Sequence, residues 1–244
     1  MPRFYLSPEH ATLDVGVTLD LPATIAHHVA VIRLKAGDTI QLFNGLGGAY
    51  IATLTEIGKK HASAEVKLFM PEETELPYAL NLVQSLPEGS KMDWIIEKAM
   101  ELGVTSIQPV AAQRSVVKLS ADRADKKMAH WQGIITAAAE QCGRNRLAQL
   151  HAPVSLNSWL AQQDMHKRIM LSPRAETSLA DWARHHPPQA ISLLIGPEGG
   201  LSPDEEQAAV RHGVLCLSIG PRVLRTETAG LASIALLNGI WGGM

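Results

Sequence analysis

The segment Ile191–Ser202 reads ISLLIGPEGGLS and carries the strongest fold signal in the chain. Its first five residues are apolar and predict a buried strand, and the glycine-rich turn GPEGG follows without a break. Ser202 then provides a helix N-cap, Pro203 suits the first helical position, and Glu205 completes a capping box. The segment therefore predicts a glycine-rich loop between the end of a strand and the start of a helix.

The composition of this loop limits the ligands that it suits. Glycines allow backbone amides to approach a ligand closely, as they do in phosphate-binding loops. Glu198, however, places a negative charge in the middle of the turn, and neither GxGxxG nor GxxxxGK[ST] is present. These features argue against a nucleotide-phosphate enzyme and favour a ligand with hydroxyls, an amine or a cationic centre. A glycine-rich turn that binds no ligand is the alternative interpretation.

A second loop of the same kind follows about 20 residues later. The predicted strand Val214–Ile219 leads into GPRVLRTETA, after which an apolar terminal helix begins. Thr226 or Glu227 suits the first turn of that helix. Because the two predicted strands are consecutive, we expect the two loops to lie side by side at one edge of the sheet.

Two arginines in the second loop, Arg222 and Arg225, are three residues apart. Guanidinium groups beside a buried loop are costly unless they meet an anionic ligand or a carboxylate. The pattern therefore leaves two interpretations open, an anionic ligand or salt bridges to Glu198 and Glu227.

The chain before these loops alternates between strand and helix patterns. Such alternation is typical of a mostly parallel sheet, whose ligands bind at the carboxyl ends of the strands. Gly103 suits the position that follows a helix end. The predicted strands are 79–85, 106–111, 168–171 and 191–195, and the predicted helices are 91–102 and 128–141.

The first 70 residues have a different pattern, with short alternating runs at 39–43, 49–56 and 62–69 and a helical run at 22–34. Glycine-containing turns separate the runs, which predicts a small β-barrel with one helix. Residues 71–77 are polar and bracketed by prolines, as linkers commonly are. We therefore expect domains at 1–70 and 78–244, joined by a linker at 71–77.

Composition excludes several classes of protein. The 244 residues are 46% hydrophobic and 19% charged, with a net charge of -2, which excludes a disordered chain. Cys142 and Cys216 share no metal-binding spacing, and neither do the ten histidines, so we expect no disulfide framework and no metal site. Prolines interrupt the first residues, and no apolar run reaches the length of a membrane span. We expect a cytoplasmic protein without a membrane contact.

The charges are unevenly distributed along the chain. Residues 1–75 hold six Lys or Arg against nine Asp or Glu, a net of -3, whereas 112–146 holds seven against three, a net of +4. A concentrated basic stretch is what a near-neutral protein needs in order to bind nucleic acid. An ordinary solvated helix face is the alternative.

Taken together, these motifs resemble those of the bacterial 16S ribosomal RNA (uracil-N3) methyltransferases, a family of the SPOUT superfamily. The two glycine loops form a paired signature, and blocks in the same order extend the resemblance over nearly the whole chain. The blocks are Ile195–Gly200, Ile219–Ala229, Glu97–Val104, Arg114–Lys118, Ala139–Arg144, His27–Arg33, Gly37–Asp38 and Leu42–Gly45. After Arg144 the family usually has a basic residue and a proline-containing strand, and Asn145–Gln149 lacks that proline.

The resemblance implies a PUA-like β-barrel for RNA and a C-terminal α/β domain whose parallel sheet ends in a trefoil knot. Connectivity rules alone would favour an unknotted sheet. It also implies a homodimer, with S-adenosylmethionine in the knot, that methylates N3 of a specific uridine in 16S rRNA, within the small ribosomal subunit. A SPOUT methyltransferase for another RNA or ribose position, and a non-catalytic RNA-binding module, are the alternatives.

The resemblance also assigns residues by motif. Apart from the motif match, the chemistry of the reaction leads us to expect that Arg225 stabilises negative charge on the uracil oxygens and that Glu198 orders the cofactor or acts as a base. The expected cofactor contacts are Leu171, Gly196, Glu198, Gly200, Ile219, Gly220, Leu224, Arg225, Thr226 and Thr228. The expected RNA contacts are Arg3, Arg33, Arg114, Lys118, Arg144 and Arg146.

Overall fold

A computed structural model describes residues 1–58, 61–115, 121–163 and 165–243, with the backbone alone for 121–123. The chain forms two compact units. The first consists of Met1–Glu75 and Ala139–Leu147, and the second of Leu76–Ala138 and Ala148–Met244. The first unit therefore includes a short segment from the middle of the chain.

The first unit contains a five-stranded mixed sheet and one helix that share a core of buried side chains. The strand order is β1-β3-β4-β5-β2, in which only β1 and β3 are parallel. The first 70 residues, expected to form a small β-barrel with one helix, thus contain this mixed sheet packed with its helix. The elements are β1 (Arg3–Tyr5), β2 (Thr18–Asp20), α1 (Ala23–Val31), β3 (Thr39–Phe43), β4 (Ala49–Ile57) and β5 (Ala62–Met70).

The second unit contains a parallel sheet with strand order β12-β10-β11-β6-β7-β8, and β9 also pairs with β7. The strands β6 and β11 are buried along their whole length, as expected for a parallel sheet covered on both faces. The strands are β6 (Leu80–Ser85), β7 (Ser106–Ala111), β8 (Gln149–Leu150), β9 (Val154–Ser155), β10 (Lys167–Leu171), β11 (Ile191–Ile195) and β12 (Leu215–Leu217).

Helices accompany this sheet, and the last of them joins several elements. Helix α7 contacts α2, α5 and β11, whereas α4 contacts α6 and β7. Within the described ranges no helix combines the length and apolar character that a bilayer span requires. The helices are α2 (Lys91–Glu101), α3 (Ala121–Cys142), α4 (Leu156–Ala161), α5 (Leu179–Arg184), α6 (Pro203–Arg211) and α7 (Thr226–Trp241).

The main strands and helices predicted from the sequence are confirmed, with two differences in helix length. Helix α3 begins seven residues before the predicted start, and α1 ends at Val31 because Arg33 adopts a left-handed backbone with φ +60°. The sequence reading missed β1, β2, α4 and α5, which are three to six residues long and too short to show periodicity.

Helix α7 is fixed near its C-terminal end by side-chain hydrogen bonds. Asn238 donates to the carbonyl of Leu102 at 2.8 Å and accepts from the Tyr78 hydroxyl at 2.5 Å. The Trp241 indole donates to the carbonyl of Ala183 at 2.9 Å. Burial raises the pKa of Tyr78 to about 12, so its hydroxyl stays protonated as a donor. The helix consequently has one fixed register against the rest of its unit.

In the first unit, Arg144 is 4% exposed and pairs with Glu75. Its Nε and Nη2 atoms lie 3.0 and 2.6 Å from the two oxygens of that carboxylate. Arg3 donates to the Arg144 carbonyl and to Asn145 Oδ1, both at 3.0 Å. Residues 144–145 are thereby held in the first unit by buried charged contacts.

We expect Glu75→Gln to destabilise the first unit, because it removes the charged carboxylate that the buried Arg144 guanidinium binds through two hydrogen bonds. Removing one partner of a buried pair costs about 3–5 kcal/mol. The measurement is the free energy of opening of β3–β5 from amide hydrogen exchange. Glu73→Gln is the matched control: Arg146, its partner at 3.4 Å, is 53% exposed, so the loss should stay below about 1 kcal/mol. Equal losses in both variants would contradict this assignment.

Candidate functional site

A cavity of about 510 Å³ lies where β10, β11 and β12 end. The three strands are parallel, so the loops that follow them leave the sheet at the same edge. The loop 171–174, the glycine loop 195–201 and the segment 219–229 all line the cavity. Its volume falls within the range typical of small-molecule sites.

Glycine is required at three positions of the cavity wall. A Cβ at Gly196 would lie 3.1 Å from the amide nitrogen of Leu201, so a side chain would spread the turn. Gly200 and Gly220 adopt φ values of +66° and +119°, which side-chain-bearing residues rarely adopt. A Cβ at either would meet no atom within 4 Å, so no protein group fills the space beside them. The backbone is consequently accessible to a ligand at these two positions.

The glycine loop is held at its end by the predicted capping box, which is confirmed. Ser202 accepts from the Glu205 amide at 3.2 Å, and Glu205 accepts from the Ser202 amide at 2.8 Å. The other oxygen of Glu205 accepts from the Gln113 amide at 2.7 Å, and Arg114 Nη1 donates to the Gly199 carbonyl at 2.8 Å. Residues 113–114, after β7, thus bind the second half of the glycine loop and the start of the helix that follows it.

The two glycine loops lie together at one edge of the sheet, as expected, although the strands that precede them are not neighbours. Strand β10 lies between β11 and β12, so the chain after β12 must cross the end of β10 to reach the first loop. Thr226 makes the connection: its hydroxyl donates to the Gly196 carbonyl at 2.6 Å and accepts from Gln84 Nε2 at 2.9 Å. The residue is 5% exposed. One buried hydroxyl therefore joins β6, the first glycine loop and the start of α7.

Glu198 is bound by the first turn of α2. Its Oε1 accepts from Lys91 Nζ at 2.7 Å and from the Glu88 amide at 3.1 Å. Partial burial opposes ionisation, but the hydrogen bond from Lys91, with those from backbone amides, outweighs it and lowers the pKa of Glu198. Glu198 is therefore held as a carboxylate at neutral pH.

Two further acids line the cavity. Glu206 Oε2 lies 2.5 Å from Arg174 Nη2. Glu227 follows Thr226 in the first turn of α7, and its Oε2 atom is buried without a hydrogen-bond partner among the described residues. Glu198 and Glu206 are thus paired with a basic side chain, whereas Glu227 Oε2 has no such partner among the described residues.

Most of the expected cofactor contacts are brought together here. Thr228 is exposed and does not line the cavity. Arg222 and Arg225 line it and are exposed, and within the described ranges neither pairs with Glu198 or Glu227. The lining residues from the expected set are Leu171, Gly196, Glu198, Gly200, Ile219, Gly220, Leu224, Arg225 and Thr226.

The expected RNA contacts divide into two groups. Arg33, Arg114 and Arg146 are exposed, although Arg114 also binds the glycine loop. Arg144 is buried against Glu75, and burial lowers the pKa of Arg3, whose guanidinium donates within the first unit. Both guanidinium groups are therefore committed to contacts inside the fold. Lys118 lies outside the described residues.

The sequence reading missed Lys91, Arg174 and Glu206 as cavity residues. Lys91 and Arg174 follow the carboxyl ends of β6 and β10, where ligands of parallel sheets bind, so they could have been predicted from their positions. Glu206 lies on α6, and no sequence pattern indicated that it lines the cavity. Among the residues that the structure describes, no group of three His, Cys, Asp or Glu side chains is placed to hold a metal ion.

Two family models match successive parts of the chain. The model of an RNA methyltransferase domain matches residues 74–238, and that of an RNA methyltransferase PUA domain matches 21–67. Ribosomal RNA small subunit methyltransferase E from Bacillus subtilis is 34% identical, over 98% of this chain and 96% of its own. The protein of the same name from a Buchnera aphidicola strain is 28% identical, over 99% and 94%.

Two solved structures share the fold. That of ribosomal RNA small subunit methyltransferase E from Neisseria gonorrhoeae, bound to S-adenosyl methionine, is 39% identical, with a TM-score of 0.91 over 99% of this chain and 98% of its own. A Legionella pneumophila protein in complex with the cofactor SAM is 34% identical, with a TM-score of 0.90 over 97% and 96%. The expected fold class, a SPOUT-type α/β domain with a parallel sheet and a small N-terminal PUA-like domain, is confirmed. The trefoil knot and the closed β-barrel stay predictions.

We expect Lys91→Met to raise the pKa of Glu198, because burial then outweighs the remaining backbone hydrogen bonds. In the unmodified protein the lowered pKa means that ionised Glu198 stabilises the fold above the ordinary glutamate pKa. That contribution is lost as the pH falls through the lowered value. The carboxyl carbon of Glu198, assigned with Glu198→Gln, is followed by NMR titration in both proteins. An unchanged Glu198 pKa in Lys91→Met would contradict the proposed pairing.

Proposed function

Since the chain belongs to the RNA methyltransferase family that includes the ribosomal RNA small subunit methyltransferase E proteins, we propose that it methylates N3 of a specific uridine in 16S rRNA. S-adenosylmethionine is the methyl donor. The observation that carries this proposal is the single cavity formed by two glycine loops that Thr226 joins. Relatives that share the fold are solved with this cofactor bound.

The cavity fits S-adenosylmethionine in size and chemistry. Leu171, Ile219 and Leu224 supply apolar wall for an adenosine group. The backbone at Gly200 and Gly220 is open to the ligand, as hydrogen bonding to a base or ribose requires. Two of the three carboxylates at the wall, Glu198 and Glu206, are already paired with Lys91 and Arg174, so the fit to the ligand depends on the apolar wall and the open backbone. We propose that these residues, with Gly196, Thr226 and the expected Thr228, hold the cofactor.

The chemistry that S-adenosylmethionine supplies is an electrophilic methyl group on a positively charged sulfur. The protein must place the uracil nitrogen in line with that methyl at near-attack distance. Arg225 is exposed at the cavity and begins α7, where its guanidinium can donate to the uracil oxygens. We propose that it stabilises the negative charge that develops there when N3 loses its proton.

Two roles are expected for Glu198, ordering the cofactor and acting as a base, and the second is the less well supported. Its Oε1 oxygen already accepts from Lys91 and the Glu88 amide, and its pKa is lowered. A carboxylate held in this way accepts a proton poorly. We therefore propose that Glu198 orders the glycine loop and the cofactor through Lys91.

We propose that RNA is bound through exposed basic side chains of each unit, Arg33 and Arg146 in the first and Arg114 in the second. Lys118 stays a prediction. Contacts of this kind position the RNA without specifying its sequence. Because N3 lies on the Watson–Crick edge, the target uridine must be unpaired or flipped out, at a cost of a few kcal/mol. Arg3 and Arg144 are left out of this set because their guanidinium groups bind within the fold.

The proposed setting of the reaction comes from the family. We propose that the substrate is 16S rRNA within the small ribosomal subunit, that the protein acts as a homodimer, and that it works in the cytoplasm. The support for the RNA substrate is the match to an RNA methyltransferase domain and to its PUA domain.

The reaction and its substrate are tested together by deleting the gene. We expect 16S rRNA from the deletion strain to lack one N3-methyluridine, and re-expression to restore it. The measurement is mass spectrometry of nuclease fragments of the rRNA. A complete set of methyluridines in the deletion strain, or loss of a ribose methyl group instead, would overturn the proposal.

For Arg225→Lys we expect turnover to fall about 10²-fold, because lysine keeps the charge but lacks the planar pair of donors. Affinity for S-adenosylmethionine, measured by titration calorimetry, should be unchanged. Arg222→Lys, also on the cavity wall, is the matched control and should keep its turnover. Near-normal turnover of Arg225→Lys would remove Arg225 from the mechanism.

A further inference from the structure

The cavity wall contains three carboxylates that differ in the hydrogen bonds and ion pairs that they make. Glu198 is held by Lys91 at 2.7 Å and by the Glu88 amide at 3.1 Å. Glu206 is held by Arg174 at 2.5 Å. Glu227 Oε2 is buried and has no hydrogen-bond donor among the described residues. Glu227 Oε2 therefore has a hydrogen-bonding capacity that no described group uses.

A buried acceptor without a donor is costly in a folded protein. Leaving such a group unpaired destabilises the folded state, and more so when the group is charged. Two features reduce this cost for Glu227: its place in the first turn of α7, where the helix dipole favours an anion, and the positive charge of Lys91, with which it interacts. Unlike Glu198 Oε1, Glu227 Oε2 accepts no hydrogen bond from a described group, so it keeps a position where a proton can bind.

The proposed reaction needs such a group, because uracil N3 carries a proton that must leave. The residues that line the cavity include no histidine, cysteine or tyrosine in the part of the chain that the structure describes. Lys91 is cationic, and Glu198 and Glu206 are bound to cations. Glu227 remains, two residues from Arg225, which is proposed to bind the uracil oxygens.

We propose that Glu227 is the general base that removes the N3 proton of the target uracil. This inference rests on the proposed function. The N3–H bond breaks and its proton moves to the Glu227 carboxylate, while the electron pair of that bond stays on N3. That pair forms the new N3–CH3 bond as the S–CH3 bond breaks, and the electrons of the broken bond stay on sulfur. Glu227 then releases the proton to solvent.

Glu227→Gln tests the proposal because it keeps the shape of the side chain and removes its basicity. Full-length protein is assayed on small ribosomal subunits purified from the deletion strain. We expect methyl transfer to fall about 10²- to 10⁴-fold, the usual contribution of general acid–base catalysis. Affinity for S-adenosylmethionine by calorimetry, and the thermal midpoint, should stay at the unmodified values. Glu176→Gln, at an exposed glutamate that does not line the cavity, is the matched control and should leave all three quantities unchanged.

A second measurement separates proton removal from positioning. Subunits from deletion cells grown with 5-fluorouracil carry a mixture of uridine and 5-fluorouridine at the target, and mass spectrometry follows both in one sample. Fluorine makes the N3 proton more acidic, so it reduces the need for a base. We expect the rate ratio of fluorouridine to uridine to be higher for Glu227→Gln than for the unmodified protein.

Each outcome has one meaning. Full activity of Glu227→Gln, or a fall in rate with an unchanged fluorouridine ratio, overturns Glu227 as the base. Weaker S-adenosylmethionine binding that accounts for the whole loss of rate assigns Glu227 to the cofactor and also overturns the proposal. If the unmodified protein itself leaves uridine N3 unmethylated, the proposed function fails instead.

Discussion

The site depends on one buried hydroxyl group. Thr226 donates to the Gly196 carbonyl and accepts from Gln84, so it ties the start of the last helix to the end of β11. The segment after β12 crosses the end of β10 to reach this contact, since its own strand lies at the edge of the sheet. The cavity exists because two loops from non-adjacent strands are held together at this point.

The electrostatics of the cavity follow from how its charges are paired. Lys91 with Glu198 and Arg174 with Glu206 neutralise four charges in the wall, and these pairs give the loops their positions. Arg225 and Glu227 are not used in this way and lie on either side of Thr226 in the chain. Thr226 thus lies between the two charged residues that are proposed to act on the uracil. Their spacing is therefore set by the fold.

Local sequence signals predicted the glycine loop, its capping box and the parallel sheet, because each depends on residues close together in the chain. Contacts between distant residues were not predictable from such patterns. Lys91 and Glu198 are 107 positions apart, and Arg144 resembled a surface cation until the structure placed Glu75 against it. The placement of β10 between β11 and β12 is also a matter of long-range topology, on which residue periodicity carries no information. The resemblance supplied nine of the residues that line the cavity, but it did not supply their charge partners.

Helix α7 has a further consequence for how this domain can vary. It is bound at Thr226 near its start and at Asn238 near its end, twelve residues later, a span of about 18 Å. One inserted residue between them would advance the second anchor by about 1.5 Å and turn it by about 100° around the helix axis. Both anchors could not then be satisfied. The two anchors therefore fix the number of helical residues between them. Insertions and deletions in this domain are expected in other segments.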